Sequence, residues 1–228
     1  MNIEVFRRKL RRKGWQGALR LFRERFLYVH NELRWFAREL NQASLPVQLP
    51  RRHAWRFVDI TPRLLPAFRR HFAEQIDVMV DLLAQPDLHG YVALDSFGDV
   101  CAYMWISPRD YYDGHYFRSW FPVAPGDAYL FALEIAATHR GSALFLAGQD
   151  HLWQLLASRG YKRAVAVVDC RNRIMLRLMD RLGFSEDGRK VHAHTFFGHL
   201  RFTVQPARPH PPIRVERPKL LPSGKPGS

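Results

Sequence analysis

The sequence lacks the features that mark several common classes of protein. Its 228 residues include only two cysteines, Cys101 and Cys170, so we expect no disulfide framework and a reducing compartment. No run of 18 apolar residues occurs, so no membrane-spanning helix is expected. The basic N-terminus is not followed by an uninterrupted apolar segment and a small-residue cleavage site, as a secretory signal would be. These absences favour a cytoplasmic location.

Acidic residues are scarce at both ends of the chain. Residues 1–53 hold 13 Lys/Arg and 4 Asp/Glu, residues 201–228 hold 6 and 1, and residues 54–200 hold 16 of each. The net charge of +14 therefore belongs to the two ends. Because the middle is neutral, it gives no reason to expect specific binding of nucleic acid there.

Composition and pattern divide the chain into three predicted regions. Residues 1–50 are predicted to form a basic, amphipathic helical arm. Residues 54–203 are predicted to form the folded domain. Residues 204–228 are rich in proline and basic, and are predicted to be a disordered tail.

An apolar stripe carries the prediction of the N-terminal helix. Eight residues recur with alternating spacings of four and three, which places them on one helical face: Trp15, Leu19, Phe22, Phe26, Val29, Leu33, Phe36 and Leu40. Three interpretations remain open. The helix packs on its own domain or on a partner helix, which would allow a homodimer. Alternatively, residues 1–40 lie on an anionic membrane surface and make the protein peripheral, or they contact nucleic acid.

The middle of the chain alternates between strand and helix patterns. The predicted elements are a strand at 55–60, a helix at 62–83, a hairpin with strands at 91–94 and 100–106, an aromatic loop at 108–126, a strand at 128–137, a helix at 141–158, a strand at 161–169, a helix at 172–181 and closing strands within 190–204. The turn Arg140-Gly141 comes between a strand and a helix. Backbone N–H groups at a helix N-terminus bind anions, so this turn is a predicted anion site.

The order of elements, together with Arg140-Gly141, Asn172 and Gly183-Phe184, resembles that of the GNAT acyltransferase superfamily over roughly residues 55–200. Members of this superfamily move an acyl group from acyl-coenzyme A to an amine. The resemblance implies an α/β (α+β) fold with a mixed, mostly antiparallel central sheet flanked by helices. It also implies acetyl-CoA as the acyl donor and a small-molecule primary amine as the acceptor, such as an amino sugar or a peptide amine.

The resemblance further implies which residues bind the coenzyme. The backbone near Leu133, Ile135 and Ala137 would bond to the pantetheine amides, and Asn172 would face the pantetheine arm. The pyrophosphate would lie on the loop formed by Arg140, Gly141, Ser142, Ala143 and Leu144. Ala143 replaces the first glycine of the loop pattern, which is a mild change. Two positions depart strongly from the family pattern: Phe145 replaces the second glycine of the loop, and Met179 replaces a tyrosine that protonates the leaving thiolate in many members.

Glu134 is the favoured general base, because it is the only acid in the apolar run 128–138. The alternative is that Glu134 faces solvent or pairs with an arginine. Tyr161 is the favoured substitute acid, and Tyr129 and His194 are alternatives. No metal site is expected, because His192 and His194 have no third ligand at metal spacing. A second hypothesis for the whole protein is a GNAT-fold binding protein without turnover, held on a membrane or a polyanion by its basic ends.

Overall fold

The computed structural model of the chain describes residues 28–40, 55–115, 117–197 and 200–204. The strands in these ranges are β1 Tyr28–Glu39, β2 Arg56–Asp59, β3 His89–Leu94, β4 Val100–Ser107, β5 Tyr111–Asp113, β6 Ser119–Phe121, β7 Asp127–Ile135, β8 Arg163–Asp169, β9 Ser185–Phe196 and β10 Leu200–Val204. The α-helices are α1 Arg69–Phe72, α2 Ile76–Leu83, α3 Leu144–Ser158 and α4 Arg173–Arg181. Three 3-10 segments lie at Pro62–Phe68, Ala73–Gln75 and Ala137–His139.

Eight of these strands form one sheet in the order β10-β9-β1-β8-β7-β4-β3-β2. Every neighbouring pair is antiparallel except β7 and β8, which are parallel. Strands β5 and β6 form a separate two-stranded hairpin. The prediction of a mixed, mostly antiparallel sheet flanked by helices is therefore confirmed.

The predicted N-terminal helix is wrong over its second half, because Tyr28–Glu39 is a strand. Strand β1 lies inside the sheet and pairs with β8 on one side and β9 on the other. Leu33 and Trp35 are buried against one face of the sheet, and Phe36 is buried against the other. A strand buried on both faces places apolar residues at odd and even positions alike, so its pattern can mimic a helical stripe.

This strand also corrects the predicted domain boundary. The folded domain does not begin at residue 54, because β1 supplies one of its inner strands. Residues 1–40 were predicted to lie on a membrane surface. Residues 28–40 are not available for such a contact, because they form β1 or directly follow it. Residues 1–27, the linker at 41–54 and the tail from residue 205 lie outside the described residues. No helix in the described part of the chain is long and apolar enough to cross a membrane.

The sheet separates two apolar layers. On one face, the segment from Pro62 to Leu83 and the β5–β6 hairpin cover a core that includes Trp35, Phe68 and Trp105. The indole N–H of Trp105 donates a hydrogen bond to Sδ of Met79 on α2, at 3.3 Å. On the other face, α3 and α4 cover a second core. The sheet therefore has a buried apolar core on each of its two faces.

Most predicted strands of the middle region are found. The hairpin of β3 and β4 turns at 95–98, where Gly98 has a φ of 86°. Within the predicted loop at 108–126, residues Tyr111–Asp113 and Ser119–Phe121 pair as a hairpin. Tyr111 and Phe121 point into the core, whereas Tyr112 and Trp120 are exposed and contact each other. Alternation along these short strands was hidden in the sequence, because both faces carry aromatic residues.

Candidate functional site

A gap opens in the sheet where β7 and β8 separate. The two strands pair only from Asp127 with Arg163 to Leu130 with Ala166. Beyond this point β7 continues along β4, and β8 continues along β1 to the pair Leu33 with Asp169. A cavity of about 440 Å³ fills the gap, and residues from both diverging strands line it. The divergence of two parallel neighbours thus creates a cavity that reaches both faces of the sheet.

A bulge in β7 sets the direction of the side chains at the gap. Trp105 pairs with Phe131 and Tyr103 pairs with Glu134, so Ala132 and Leu133 together face the single residue between them on β4. Ala132 has a φ of 50°, in the left-handed region that residues with a side chain seldom adopt. An extra residue reverses the alternation of the strand that follows. The bulge therefore decides which face of the sheet Glu134 reaches.

The cavity has two halves, one on each face of the sheet. On the side of α3 and α4 it is lined by Met104, Leu133, Phe145, Gln149, Asn172, Met175, Met179 and Leu182. On the side of α2 and the β5–β6 hairpin it is lined by Val78, Leu82, Tyr111, Asp113, His115, Phe117, Tyr129 and Phe131. We call these the helix half and the hairpin half. One ligand can thus occupy the helix half and a second ligand the hairpin half, and the two ligands can meet at the gap.

Glu134 lies at this meeting point. It lines the cavity and is half-buried. Its neighbours Leu133 and Ile135 pack on the face of α3, so alternation directs Glu134 toward the hairpin half. Among the described residues, Glu134 makes no ion pair and no hydrogen bond, so the alternative of an arginine partner finds no support in this part of the chain.

Two polar residues line the hairpin half: Asp113, which was missed by the sequence analysis, and Tyr129, which was one of the two alternative acids. Asp113 is 6% exposed, and its Oδ1 accepts a hydrogen bond from the backbone N–H of His115 at 3.0 Å. Tyr129 is also buried, and burial raises the pKa of its hydroxyl well above the ordinary value, with the Asp113 carboxylate acting in the same direction. The phenol therefore stays protonated. Asp113 gave no signal in the sequence because it lies in an aromatic stretch that was interpreted as a loop.

Gln149 was missed as well, and it is the most unusual residue of the helix half. It is 5% exposed, lines the cavity, and has no hydrogen-bond partner among the described residues. The polar atoms of its amide are nevertheless not completely closed off from solvent. The amide therefore faces the cavity. The sequence contains a signal for this residue, because Gln149 falls on the apolar stripe formed by Phe145, Leu152 and Leu156.

The turn before α3 was the predicted anion site. Gly141 has a φ of 79°, and a Cβ placed there would meet nothing within 4 Å. The Nε of Arg140 donates to the carbonyl oxygen of Ile135 at 3.1 Å, which holds this exposed side chain over the end of β7. The Oγ of Ser142 accepts a hydrogen bond from the backbone N–H of Leu144 at 3.2 Å. The turn is open to a ligand, although Ser142 already occupies one of the helix's free N–H groups.

The predicted coenzyme residues fall into two groups. Leu133 and Asn172 line the main cavity. Leu133, Ile135 and Leu144 line a smaller neighbouring cavity of about 50 Å³. In contrast, Ala137, Arg140, Gly141, Ser142 and Ala143 line neither cavity and lie at the surface beside them. For both groups, a coenzyme role stays a prediction.

Asn172 has a structural partner in addition to its place at the cavity. It is the N-cap of α4, and its Oδ1 accepts a hydrogen bond from the backbone N–H of Met175 at 3.1 Å. This bond stabilises the start of the helix. Its amide N–H groups remain for a ligand, because Asn172 has no other side-chain hydrogen bond among the described residues.

Tyr161 does not lie at the cavity, contrary to its predicted role as an acid. It precedes β8, whereas the cavity lies beside the other end of that strand, at 166–169. Five residues of extended chain separate Tyr161 from Ala166, which corresponds to roughly 16 Å. The sequence placed Tyr161 near a strand without indicating which end of the strand faces the site.

The two alternative acids differ in position. Tyr129 lines the cavity, whereas His194 lies on β9, two strands away from β8. His194 stacks on His30 and its Nδ1 lies 2.8 Å from the hydroxyl of Tyr28. His30 also lies 3.0 Å from His192, from Nε2 to Nδ1. A third imidazole thus joins the pair seen in the sequence, and it was missed because β1 was assigned to a helix.

Both strong departures from the family pattern lie in the helix half. Met179 is 5% exposed and lines the cavity. Its thioether cannot donate a proton. Phe145 lines both cavities and places a bulky ring at the first turn of α3. The helix half therefore offers Gln149 and Asn172 as its neutral hydrogen-bond donors, and no tyrosine.

Comparison with solved structures identifies the architecture. A GCN5-related N-acetyltransferase from Sphaerobacter thermophilus aligns with a TM-score of 0.50 at 16% identity, covering 80% of this chain and 56% of that protein. The chain has the GNAT fold. A functionally unknown conserved protein from Staphylococcus epidermidis aligns with a TM-score of 0.54 at 10% identity, covering 81% of this chain and 69% of that protein.

A tandem GNAT protein from the clavulanic acid biosynthesis pathway gives the same result, with a TM-score of 0.50, 14% identity, and coverage of 82% of this chain and 59% of that protein. This chain thus spans little more than half the length of the first and third of these GNAT proteins. No protein-family model matches the chain, and no curated protein matches it in sequence. The likeness to GNAT proteins is one of fold.

Proposed function

We propose that this GNAT-fold protein transfers an acyl group from acyl-coenzyme A to a primary amine of a small molecule. The proposal is carried by one observation: a cavity crosses the sheet at the gap between β7 and β8, with Glu134 at the crossing. Two substrates that approach from opposite faces can meet there without passing through bulk water. A carboxylate at the meeting point suits proton abstraction from an amine.

The helix half suits the acyl donor. Its walls are apolar apart from Gln149 and Asn172, which matches a thin, amide-containing arm that needs few hydrogen bonds. The turn from Arg140 to Ser142, at the start of α3, would hold the phosphate groups through its open backbone and one fixed positive charge. When bound, the donor supplies a thioester carbonyl that is activated toward attack by an amine.

The chemistry assigned to this chain's residues is limited to proton transfer and hydrogen bonding. An acceptor that binds as an ammonium ion first releases one proton to solvent, which frees the lone pair of its nitrogen. Glu134 then accepts a second proton from the amine as its nitrogen bonds to the acyl carbon. The carbon–sulfur bond then breaks, and the thiolate leaves with its negative charge. The Gln149 amide is a neutral donor in the helix half and can stabilise negative charge on the reacting atoms. Because Met179 has no acidic proton, solvent water protonates the thiolate.

The hairpin half suits the acceptor. Tyr111, Tyr129 and Phe131 supply aromatic walls, and Asp113 supplies a buried carboxylate. A negative charge near aromatic faces favours a cationic amine before it loses its proton. An acetyl group as the transferred unit, and an amino sugar or a peptide amine as the acceptor, are the specific forms of this proposal.

A binding protein without turnover is the second candidate, and Met179 is the observation that favours it. A buried thioether occupies the position from which many members of the fold family protonate the thiolate. Under this alternative, the protein binds acyl-coenzyme A but releases thiol no faster than the uncatalysed reaction.

The first test is ligand-induced stabilisation of the full chain. A ligand that binds only the folded state stabilises it by about 2.7 kcal/mol at 100 times its Kd. Acetyl-coenzyme A or a longer acyl-coenzyme A should therefore raise the Tm at millimolar concentration. If neither ligand changes the Tm, both candidate functions fail.

The second test separates the two candidates by thiol release with a panel of amines. For an enzyme, Glu134→Gln should lower kcat by about 10²- to 10⁴-fold and leave the acyl-coenzyme A-induced Tm shift unchanged. Glu74→Gln is the matched control, because Glu74 is exposed and lies outside the cavity. Equal turnover of Glu134→Gln and the wild type would remove Glu134 as the base. A Tm shift without any thiol release would favour the binding protein.

A further inference from the structure

Three metal-ligating side chains meet outside the cavity. Asp95 lies in the β3–β4 turn, Cys101 is the second residue of β4, and His139 ends the 3-10 segment between β7 and α3. One ligand atom from each residue lies within 4.8 Å of the other two. In the ranges that the structure describes, no other group of three or more His, Cys, Asp and Glu side chains meets this spacing.

Backbone hydrogen bonds fix the three segments that carry these side chains. The Oδ1 of Asp95 accepts the N–H groups of Phe97 at 2.9 Å and Asp99 at 3.0 Å, so the turn holds the carboxylate in place. Its Oδ2 is not used by the turn. The N–H of Ala136 donates to the carbonyl oxygen of Cys101 at 2.8 Å, and the N–H of His139 donates to Ala136 at 2.8 Å. The site is therefore organised by the fold rather than by flexible side chains alone.

We propose that Asp95, Cys101 and His139 bind a Zn²⁺ ion. Zinc bonds of about 2.3 Å to sulfur and 2.0–2.2 Å to nitrogen and oxygen place tetrahedral ligand atoms about 3.4–3.6 Å apart. The three ligand atoms lie within 4.8 Å of one another, so side-chain rotations that shorten these distances by at most about 1.4 Å reach this geometry. Binding forms a zinc–sulfur bond and breaks the sulfur–hydrogen bond of Cys101, and the proton is released to solvent.

The donor set selects zinc among the common cations. Thiolate and imidazole ligands favour Zn²⁺ over Mg²⁺ and Ca²⁺, which prefer oxygen. One carboxylate and one thiolate balance the charge of the ion. The neighbouring Asp99 pairs with Arg70, so it adds no net charge to the site. The fourth ligand is water or His71 on α1, whose ring centre lies 6.2 Å from that of His139.

The position of the site gives it a role in the fold. A zinc ion would tie the β3–β4 turn and β4 to the segment directly before Arg140 and Gly141. It would thus hold the start of α3, and with it the turn predicted to bind phosphate groups. The binding of zinc itself does not depend on the proposed acyl transfer.

Cobalt substitution tests the site in the full chain. After metal removal with a chelator, Co²⁺ should give a thiolate-to-cobalt charge-transfer band and the visible bands of a tetrahedral site at one equivalent. Cys101→Ser should abolish the charge-transfer band, and His139→Ala and Asp95→Asn should weaken Co²⁺ binding by at least tenfold. Asp95→Asn keeps an oxygen for the turn, so it removes the charge without removing the Asx hydrogen bonds. Zn²⁺ should displace Co²⁺ and raise the Tm.

Cys170→Ser is the matched control, because Cys170 is the other free cysteine among the described residues and directly follows the last residue of β8, outside the proposed site. It should keep the charge-transfer band. The proposal is overturned if wild-type protein gives no such band, if the band survives Cys101→Ser, or if Cys170→Ser abolishes it. Because His139 is only half-buried, His139→Ala provides a folded variant if Cys101→Ser proves unstable. In that case, unchanged Co²⁺ affinity of His139→Ala overturns the proposal.

Discussion

At the residue scale, Gln149 separates a structural from a functional interpretation of the cavity. A buried amide without a partner costs folding free energy, because it loses its hydrogen bonds to water. Proteins retain such groups where a ligand supplies the missing bonds. Gln149 is 5% exposed and faces the helix half, so its amide is available to a ligand rather than to the fold.

Replacing Gln149 by leucine should therefore have opposite effects on stability and on activity. Gln149→Leu should raise the free energy of unfolding by up to about 1 kcal/mol, because leucine continues the apolar stripe of α3 and removes an amide that makes no side-chain hydrogen bond among the described residues. It should also lower acyl transfer by at least tenfold. Urea unfolding and the thiol-release assay measure the two quantities. Gln154→Leu on the exposed face of α3 is the control and should change neither; a destabilised Gln149→Leu would contradict this account.

The hydroxyl of Tyr91 provides a prediction on pH. Burial raises its pKa to about 12, although the Arg159 guanidinium, which donates a hydrogen bond to it, acts in the opposite direction. The unfolded chain ionises its tyrosines near pH 10. Between about pH 10 and 12 the unfolded state is therefore deprotonated while folded Tyr91 is not, so this residue's contribution to stability is present below pH 10 and is lost as the pH rises.

Tyr91→Phe should show a smaller loss of unfolding free energy than the wild type over this alkaline range. Urea denaturation at pH 9 and pH 11 measures the difference, and Tyr112→Phe, an exposed hairpin residue, is the control. Parallel alkaline losses in Tyr91→Phe and wild type would refute the assignment.

The sequence identified some site residues and missed others for a physical reason. Glu134 was identified because it is the only acid in an apolar run, and Asn172 was identified through the resemblance to the GNAT superfamily; both line the cavity. Gln149 and Asp113 are equally polar and buried, but their significance depends on elements that are distant in sequence. Tyr161 has a hydroxyl that could donate a proton, but it lies at the end of β8 that is distant from the cavity. Position along a strand is set by packing, which the local sequence does not record.

At the element scale, the bulge in β7 combines a strained backbone conformation with the orientation of Glu134. Ala132 has a φ of 50°, where a side chain costs free energy that glycine does not pay. The extra residue directs Glu134 to the hairpin half. The sequence could not reveal the bulge, because an alanine in an apolar run carries no signal for a left-handed conformation.

Ala132→Gly should leave the unfolding free energy unchanged or raise it by up to about 1 kcal/mol, because glycine relieves the strained φ. Ala128→Gly in the regular part of the same strand is the control and should lower it by about 1 kcal/mol. Thermal or urea unfolding gives both values. If Ala132→Gly destabilises the protein as much as Ala128→Gly, Ala132 is not strained.

Strand β1 shows why the helix prediction failed where the strand predictions of the middle region succeeded. Trp35 lies off the predicted helical stripe, yet it is 1% exposed. Phe36, its neighbour, is buried on the opposite face. Two adjacent buried aromatic residues indicate a strand between two layers. The helix prediction used only apolar residues spaced three or four apart, and Trp35 is not one of them.

At the scale of the whole molecule, the sheet order makes the N-terminal region part of the fold. Strand β1 is the only link between β8 and β9 in the eight-stranded sheet. The composition suggested a basic arm over 1–50, but Leu33 and Phe36 of that arm's apolar stripe are buried in the core and Leu40 packs against it. Composition reports charge and apolarity, whereas the place of β1 is decided by contacts that span from 124 residues of sequence (Glu39 with Arg163) to 136 (Leu33 with Asp169).

Truncation should therefore have a sharp boundary. A chain lacking residues 1–27 should keep a cooperative unfolding transition, whereas a chain lacking residues 1–40 should not fold, because β8 and β9 lose their shared neighbour. Circular dichroism and thermal unfolding measure this difference. Cooperative unfolding of the shorter chain would contradict the sheet order.

The chain that lacks residues 1–27 is also the proper variant for testing membrane association. If the basic segment binds anionic vesicles, only the full chain should sediment with them. Sedimentation of both chains would place the contact elsewhere, and sedimentation of neither would exclude the membrane as a partner of residues 1–27.

The order β10-β9-β1 also places Tyr28, which follows the basic residues 1–27, near Val204, which precedes the basic residues 205–228. Tyr28 pairs with Phe196, which pairs with Leu200, so β1 begins beside the start of β10. From Tyr28 to Val204 is two strand spacings and four residues, or about 17 Å. Residues 1–27 hold nine Lys/Arg against two Asp/Glu, and residues 205–228 hold five against one. We expect the two segments to act as a bivalent unit, in which a polyanion held by one meets the other at high effective concentration.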